Sequence, residues 1–202
     1  MSAPVASGLT YADLAATPDD HLRRELIDGE LYVTPAPNLR HQRVVARITA
    51  ALLAHAEAQG GEVWPAPTDV VFAADTVVEP DVVFVEARRE HLLGDDRFVD
   101  IVPDLVVEVS SPGTRRLDLI AKRDLYERQR VDEYWFVDLE ADRIDVHRLD
   151  TAGRYGRPTR LAAGDTLTCR SAPGFAFEVG RALHGPQAAG ISDPPPEARP
   201  GR

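Results

Sequence analysis

The sequence predicts an α/β fold of the α+β kind, with an N-terminal hairpin, a central group of apolar strands and a set of C-terminal antiparallel strands. Three observations carry this. Val82–Val85 and Leu105–Val109 are short, β-branched runs with the length and composition of buried strands. Between about residues 39 and 59 the apolar positions Val44, Val45, Ile48, Ala51, Leu52 and Ala56 recur at helical spacing. Asp28-Gly29, set between two apolar-flanked arms, is a hairpin signal because both turn positions require positive φ.

Taken in order, residues 1–8 are small and polar and are expected to be disordered. Thr10 can cap a short helix over 11–16, and Thr17-Pro18 can open another turn. The hairpin follows, with Glu25 on its first arm, and Pro35-Ala36-Pro37 breaks its second. Asn38 is a suitable N-cap for the long helix, His41 lies in its first turn, and Gly60-Gly61 stops it. Residues 62–65 and 69–73 alternate as strands, Asp75 marks a turn, 86–93 reads as helical and 94–96 as a loop.

Leu105–Val109 is the clearest central strand, interrupted only by Glu108. Residues 110–113 end it, and Thr114 can cap a helix to about residue 130. On that helix Asp118, Lys122 and Tyr126 are spaced four apart and share a face, while Leu117, Ile120, Ala121 and Leu125 offer an apolar side. Strands are expected at 132–138, 144–148, 155–161, 166–169 and 175–179, then a short helix reaching about Leu183. The folded domain is therefore placed at 9–184. Residues 185–202 form a Pro-, Gly- and Ala-rich tail expected to be disordered.

At 202 residues the chain suits one domain with tails. Its single cysteine, Cys169, excludes an intrachain disulfide framework and a Cys-rich zinc site. A formal charge of -10 argues against a tight non-specific polyanion binder, although a local Arg-rich face is compatible with an acidic body. No signal-peptide pattern and no bilayer-length apolar run is present, so a soluble, cytoplasmic protein without a membrane partner is expected.

Of the 23 basic residues, Lys122 is the sole lysine. Arg does not give up its proton in a protein, whereas Lys is a compact point charge whose pKa responds to burial. One reading is a lysine surviving by chance on a solvated face and ion-paired to Asp118; the other is a site amine. Glu108 poses a similar choice. A carboxylate inside an apolar strand is costly unless it is paired or holds a metal. His41 is either a solvated or capping histidine or a site residue. Asp81 and Glu108 offer hard oxygen ligands of the kind Mg2+ prefers, with the carbonyl of Val109 as a third. Lys122 offers the cation a developing phosphorane needs, and metal-assisted phosphodiester cleavage would follow. The aromatics of Asp132-Glu133-Tyr134-Trp135, like Trp64, read as core or interface.

The order Glu25-Leu-Ile-Asp-Gly-Glu-Leu, a His-bearing helix, Pro80-Asp81-Val-Val-Phe-Val, Pro103-Asp-Leu-Val-Val-Glu108-Val-Ser-Ser-Pro, Asp118…Lys122…Tyr126 and Asp132-Glu-Tyr-Trp-Phe-Val-Asp resembles the Uma-two family of bacterial endonucleases. The resemblance spans roughly residues 9–183. It implies a restriction endonuclease-like fold, a mixed β-sheet flanked by helices with a carboxylate-metal site at one edge. By position, Asp81 matches the Asp and Glu108 the acid of the PD-(D/E)XK pattern. Ser110 stands where that pattern has Lys, and the amine is displaced to Lys122. Glu25 fits the early acid and His41 the helix position, with Asp118, Tyr126 and Ser110 supporting them. The resemblance further implies Mg2+, with Mn2+ as a substitute, and nucleic acid, DNA in particular, as partner. A homodimer would suit cleavage of both strands. Two other classes stay open: a catalytically silent module on the same fold that binds nucleic acid or protein, and an oligomeric scaffold or regulator.

Overall fold

Alternation along the strands decides which side chains meet between the layers. The computed structural model describes residues 4–17, 22–34, 36–94, 98–111 and 113–186. The second turn expected from Pro18, the breaking Pro35, the loop at Asp95-Asp96, Pro112 and the tail from residue 187 lie outside the described residues.

Helix α1 (Tyr11–Ala15) opens at Thr10, whose N–H and hydroxyl both donate to Asp13 Oδ2 at 2.8 Å. Strands β1 (Arg23–Ile27) and β2 (Glu30–Thr34) form the expected hairpin. Asp28 and Gly29 turn it at φ 52° and 76°. Of the first eight residues, Val5 and Ala6 run beside β2: Val5 N–H donates to Leu31 O, and Leu31 N–H donates to Ala6 O. Helix α2 (Leu39–Gln59) is capped by Asn38, whose Oδ1 accepts the His41 N–H at 3.0 Å. It ends at Gly60, φ 84°, a conformation glycine adopts without a Cβ clash.

Strands β3 (Glu62–Pro65), β4 (Asp69–Ala73), β5 (Thr76–Val78) and β6 (Val82–Val85) follow, then a 3-10 segment, Ala87–Leu92, where a helix was expected. Strand β7 is Phe98–Val99 and β8 is Leu105–Val109. The next helix opens on reciprocal bonds between Ser111 and Thr114, each backbone N–H donating to the other's hydroxyl. Its course differs from the regular α-helix expected. Leu117–Lys122 is π-helical, and only Arg123–Arg128 (α3) returns to α geometry. A π stretch is wider and turns less per residue than an α-helix. The apolar face consequently drifts: Leu117 and Leu125 stay buried, but Ile120, expected to pack, is 52% exposed. Strands β9 (Glu133–Asp138) and β10 (Arg143–Arg148) come next. Strand β11 is only Thr159–Leu161, shorter than expected, with Tyr155 reduced to a bridge to Leu149. Strands β12 (Thr166–Thr168) and β13 (Ala176–Glu178) pair with each other, and α4 (Val179–Leu183) closes the described chain.

Two larger sheets result, of order β2-β1-β5-β4-β7 and β11-β10-β9-β8-β6-β3. The second is mixed: β8 runs parallel to β9 and antiparallel to β6. Its two faces are distinct. Val82, Phe84, Leu105, Val107, Trp135 and Val137 pack with Val44, Ile48 and Leu52 of α2. The opposite face carries Val83, Val106, Tyr134 and Phe136, packed with Ile27 and Tyr32 of the first sheet and with Leu117, Leu125 and Tyr126. By the two-residue period, Glu108 falls on the face of Val106, and Asp81 continues the line of Val83. Glu25 likewise shares a face with Ile27. Three acids are thereby aimed into one interlayer space.

His147 lies on the same side of the second sheet, stacked on Tyr134 with ring centroids 5.5 Å apart and 18° between planes. It is buried, and its Nδ1 has no hydrogen-bond partner. Burial, helped by Arg123, pushes the imidazole down to about 4. The native ring is then neutral where the unfolded one takes a proton, so stability is lost as pH falls from about 6.5 towards 4. A urea titration of His147→Phe across that range should lack this part of the slope; an unchanged slope would remove His147 from the account.

Candidate active site

Each acid arrives from a different element. Glu25 comes from β1, Glu108 from β8, Asp118 from the π segment, and Asp81 from the residue before β6. All four are at most 2% exposed. Lys122, 1% exposed, sits between them. Its Nζ is 2.7 Å from Glu25 Oε1, 2.9 Å from Glu108 Oε1 and 3.9 Å from Asp118 Oδ1. Tyr126 OH donates to the same Glu108 oxygen at 2.6 Å. Lys122 closes the π segment, and Tyr126, four residues on in α3, reaches the same carboxylate oxygen.

Asp81 is held from the other side. Its Oδ1 accepts from Arg23 Nη1 at 2.9 Å, and its Oδ2 takes the Val109 N–H at 2.7 Å and lies 3.1 Å from His41 Nε2. The first turn of α2 thus brings His41 into the site, and the solvated alternative for it falls away. Val109 was expected to contribute its carbonyl; the contact seen here is through its N–H. Ser110 was expected beside the acids. Its hydroxyl instead accepts the Leu139 N–H at 3.0 Å and fastens the end of β8 to β9. It faces a neighbouring cleft of about 460 Å3 shared with Asn38, Arg40 and Arg115.

Two members of the group were not singled out by sequence reasoning. Arg23 reaches in from the start of β1, with Nη2 3.6 Å from Glu108 Oε2 and 3.8 Å from Glu25 Oε1. Glu79, whose Oε1 is 3.4 Å from Arg23 Nε, is the other. The available signal was the period of two: Arg23 shares a face with Glu25, and Glu79 with Asp81.

Burial works against the charge of every acid here, and the neighbours decide the outcome. Lys122 and Arg23 overcome it for Glu25, whose carboxyl lies below its ordinary value. The His41 hydrogen bond and Arg23 overcome it for Asp81, held down to about 2. For Glu108 burial prevails over Lys122 and Arg23, with Asp81 and Glu25 adding to it, and the carboxyl is raised. Burial, with Glu108 adding, raises Asp118 well above the usual range despite Lys122, and burial lifts Glu79 to about 7. Burial alone would lower the Lys122 ammonium, but Glu108 and Glu25 hold it above its ordinary value and keep it charged.

A cavity of about 20 Å3 lies among Arg23, Glu25, Asp81, Glu108, Asp118 and Lys122, room for about one water-sized particle. Four carboxyl groups line this space with two permanent cations, so the donor set is hard and oxygen-rich. In chemistry and in space these residues fit a divalent cation. As placed, though, no three His, Cys, Asp or Glu groups among the described residues stand together as a metal clasp. Arg23 and Lys122 take up the facing oxygens instead.

Replacing Lys122 by Met would leave Glu25 and Glu108 buried without their shared cation. The expected loss of stability is about 3–5 kcal/mol, part of it restored when Glu25→Gln is added. Chemical denaturation of the two variants measures this, and a Lys122→Met protein as stable as the parent would contradict it.

No curated protein matches the chain. A solved structure titled as a "putative nuclease belonging to DUF820" from Anabaena variabilis superposes with a TM-score of 0.73, covering 87% of this chain and 97% of that one. The two share 14% identity, so the likeness speaks for the fold, a mixed α+β arrangement with helices flanking the sheets. The family model described as "Putative restriction endonuclease" matches residues 10–180, and the chain belongs to that family, Uma2.

Proposed function

We propose that this protein is a divalent-metal-dependent endonuclease that hydrolyses phosphodiester bonds, with DNA as its substrate and Mg2+, or Mn2+ in its place, as its cofactor. The observation that carries the reading is the convergence of Glu25, Asp81, Glu108 and Lys122 in one buried space beside an open cleft. That cleft, about 500 Å3, is bordered by Arg23, Pro37, His41, Gln42, Glu79 and Asp81, and it opens the inner group to a polymer lying outside.

Asp81 and Glu108 would hold the cation, with Glu25 or Asp118 as a further oxygen donor. When bound, such an ion lowers the pKa of an attacking water and offsets charge on the leaving oxygen. The chain's own groups set the stage. Lys122 keeps Glu25 ionised and fixes Glu108 against rotation, with Tyr126 locking the same oxygen. His41 and the Val109 N–H aim Asp81. In the proposed reaction the Lys122 ammonium also faces the phosphate as negative charge develops.

A second reading, a nuclease-fold module that binds without cutting, is favoured by one observation: Arg23 bridges the acids where an ion would sit. The two separate in one assay. With Mg2+ or Mn2+ the purified protein should nick or cut plasmid DNA, and EDTA should stop it. Asp81→Asn and Glu108→Gln, which preserve shape, should each lower the rate by more than about 100-fold, beyond what loss of an outer partner costs. Full cleavage by both variants would sink the assignment. No cleavage by the parent, together with metal-free DNA binding, would establish the silent module.

A further inference from the structure

The arginine at the mouth of the acid group is held differently from the lysine at its centre. Lys122 has two contacts under 3 Å and is 1% exposed. Arg23 has one such contact, Nη1 to Asp81 Oδ1 at 2.9 Å; its approaches to Glu79, Glu108 and Glu25 are 3.4, 3.6 and 3.8 Å. Its Nε and Nη2 are buried and make no hydrogen bond. A guanidinium offers five donors in a fixed fork, so this placement leaves much of its capacity unused. Leaving buried donors unmade is costly. What keeps the group there is charge: four carboxylates surround it, and it cannot shed its proton.

The side chain also stands on a boundary. Arg23 borders both the inner cavity of about 20 Å3 and the open cleft of about 500 Å3, and 17% of the side chain is exposed. Rotation about its own bonds would carry the guanidinium into the cleft, where water can satisfy every donor.

We propose that Arg23 is a built-in counter-cation, occupying the ion position among Glu25, Asp81 and Glu108 and leaving it for the adjoining cleft when a divalent metal enters. This rests on the metal-site reading above and adds a competitor to it. The empty acid group never stands bare, because the guanidinium neutralises it. The metal must displace that charge, so Arg23 weakens and gates metal uptake. The cluster then exchanges a poorly hydrogen-bonded monovalent cation for a divalent one that oxygen ligands suit better.

The test is a calorimetric Mn2+ titration of the full chain and its Arg23→Gln variant at neutral pH. Removing the competing charge should tighten Mn2+ binding by about tenfold or more. Mn2+ should also raise the thermal midpoint of Arg23→Gln further than that of the parent. Equal or weaker binding by the variant overturns the proposal while leaving the metal site standing. Absence of binding in both proteins overturns the proposal and the metal reading together. Should Arg23→Gln fail to fold, Arg23→Lys keeps a charge of shorter reach and must still bind Mn2+ more tightly than the parent; equal affinity would overturn the proposal.

Discussion

The ammonium of Lys122 between Glu25 and Glu108 is the interaction on which the rest of this structure depends. Glu25 belongs to one sheet, Glu108 to the other, and the lysine to the helix laid across them. Bringing three charges out of water is expensive, and their attraction returns that cost only in close geometry with the other lone pairs satisfied. The structure meets both conditions at once. Both ion pairs are under 3 Å, Tyr126 donates to Glu108, and the Glu79 N–H donates to Glu25. The helix widens into a π turn at this point. Six π-helical residues are a poor choice for stability alone, and such segments recur at functional sites. Here the π segment carries Asp118 and Lys122, and α3 brings Tyr126 onto the Glu108 oxygen that Lys122 holds.

A well-packed set of apolar side chains in the same volume would be at least as stable as this ionic group. The same layer shows how readily the chain builds such a core, with Val106, Phe136, Leu125 and Tyr134 filling the space immediately beside it. Charge retained in a place that packing could have filled points to chemistry. Glu133 supplies the contrast. It is also fully buried, yet it is consumed by Trp135 Nε1, Arg148 and the Arg170 N–H. A structural carboxylate is saturated by its partners. The Glu25–Glu108–Asp118 group keeps a space of about 20 Å3 beside it.

Much of this was legible in the residues. The period of two placed Glu25, Asp81 and Glu108 on inward faces, and the solitary lysine stood out because every other basic side chain is arginine. The caps at Thr10 and Asn38 and the Asp28-Gly29 turn act through local backbone chemistry, which is why their elements sit where the residues place them. Apart from sharing a face with Glu25, Arg23 carried no mark, for the reason that made Lys122 visible: it is one arginine among many, and its role comes largely from contacts to residues 56 to 85 positions away. The π turn carries no local signal either. Ser110 misled because motif spacing counts positions along a strand, whereas the strand has already ended at Val109 and the next side chain turns toward β9.

The acidity of the chain bears on the order of events at such a site. A protein of net charge -10 with a cluster of buried carboxylates repels a polyanion at long range. Many of its exposed arginines are already spent on neighbours, as Arg40 is on Asp142 and Arg115 on Asp138. Within the proposed reaction, the cation that activates the water is therefore also what makes the cleft acceptable to a phosphate. With Arg23 in place the cluster is neutralised; under the proposed exchange, a divalent ion in its place would leave the guanidinium facing the cleft, and two sources of positive charge would line the path. Substrate affinity would then follow metal occupancy, because the charge that attracts the phosphodiester is absent from the cleft until the ion has entered.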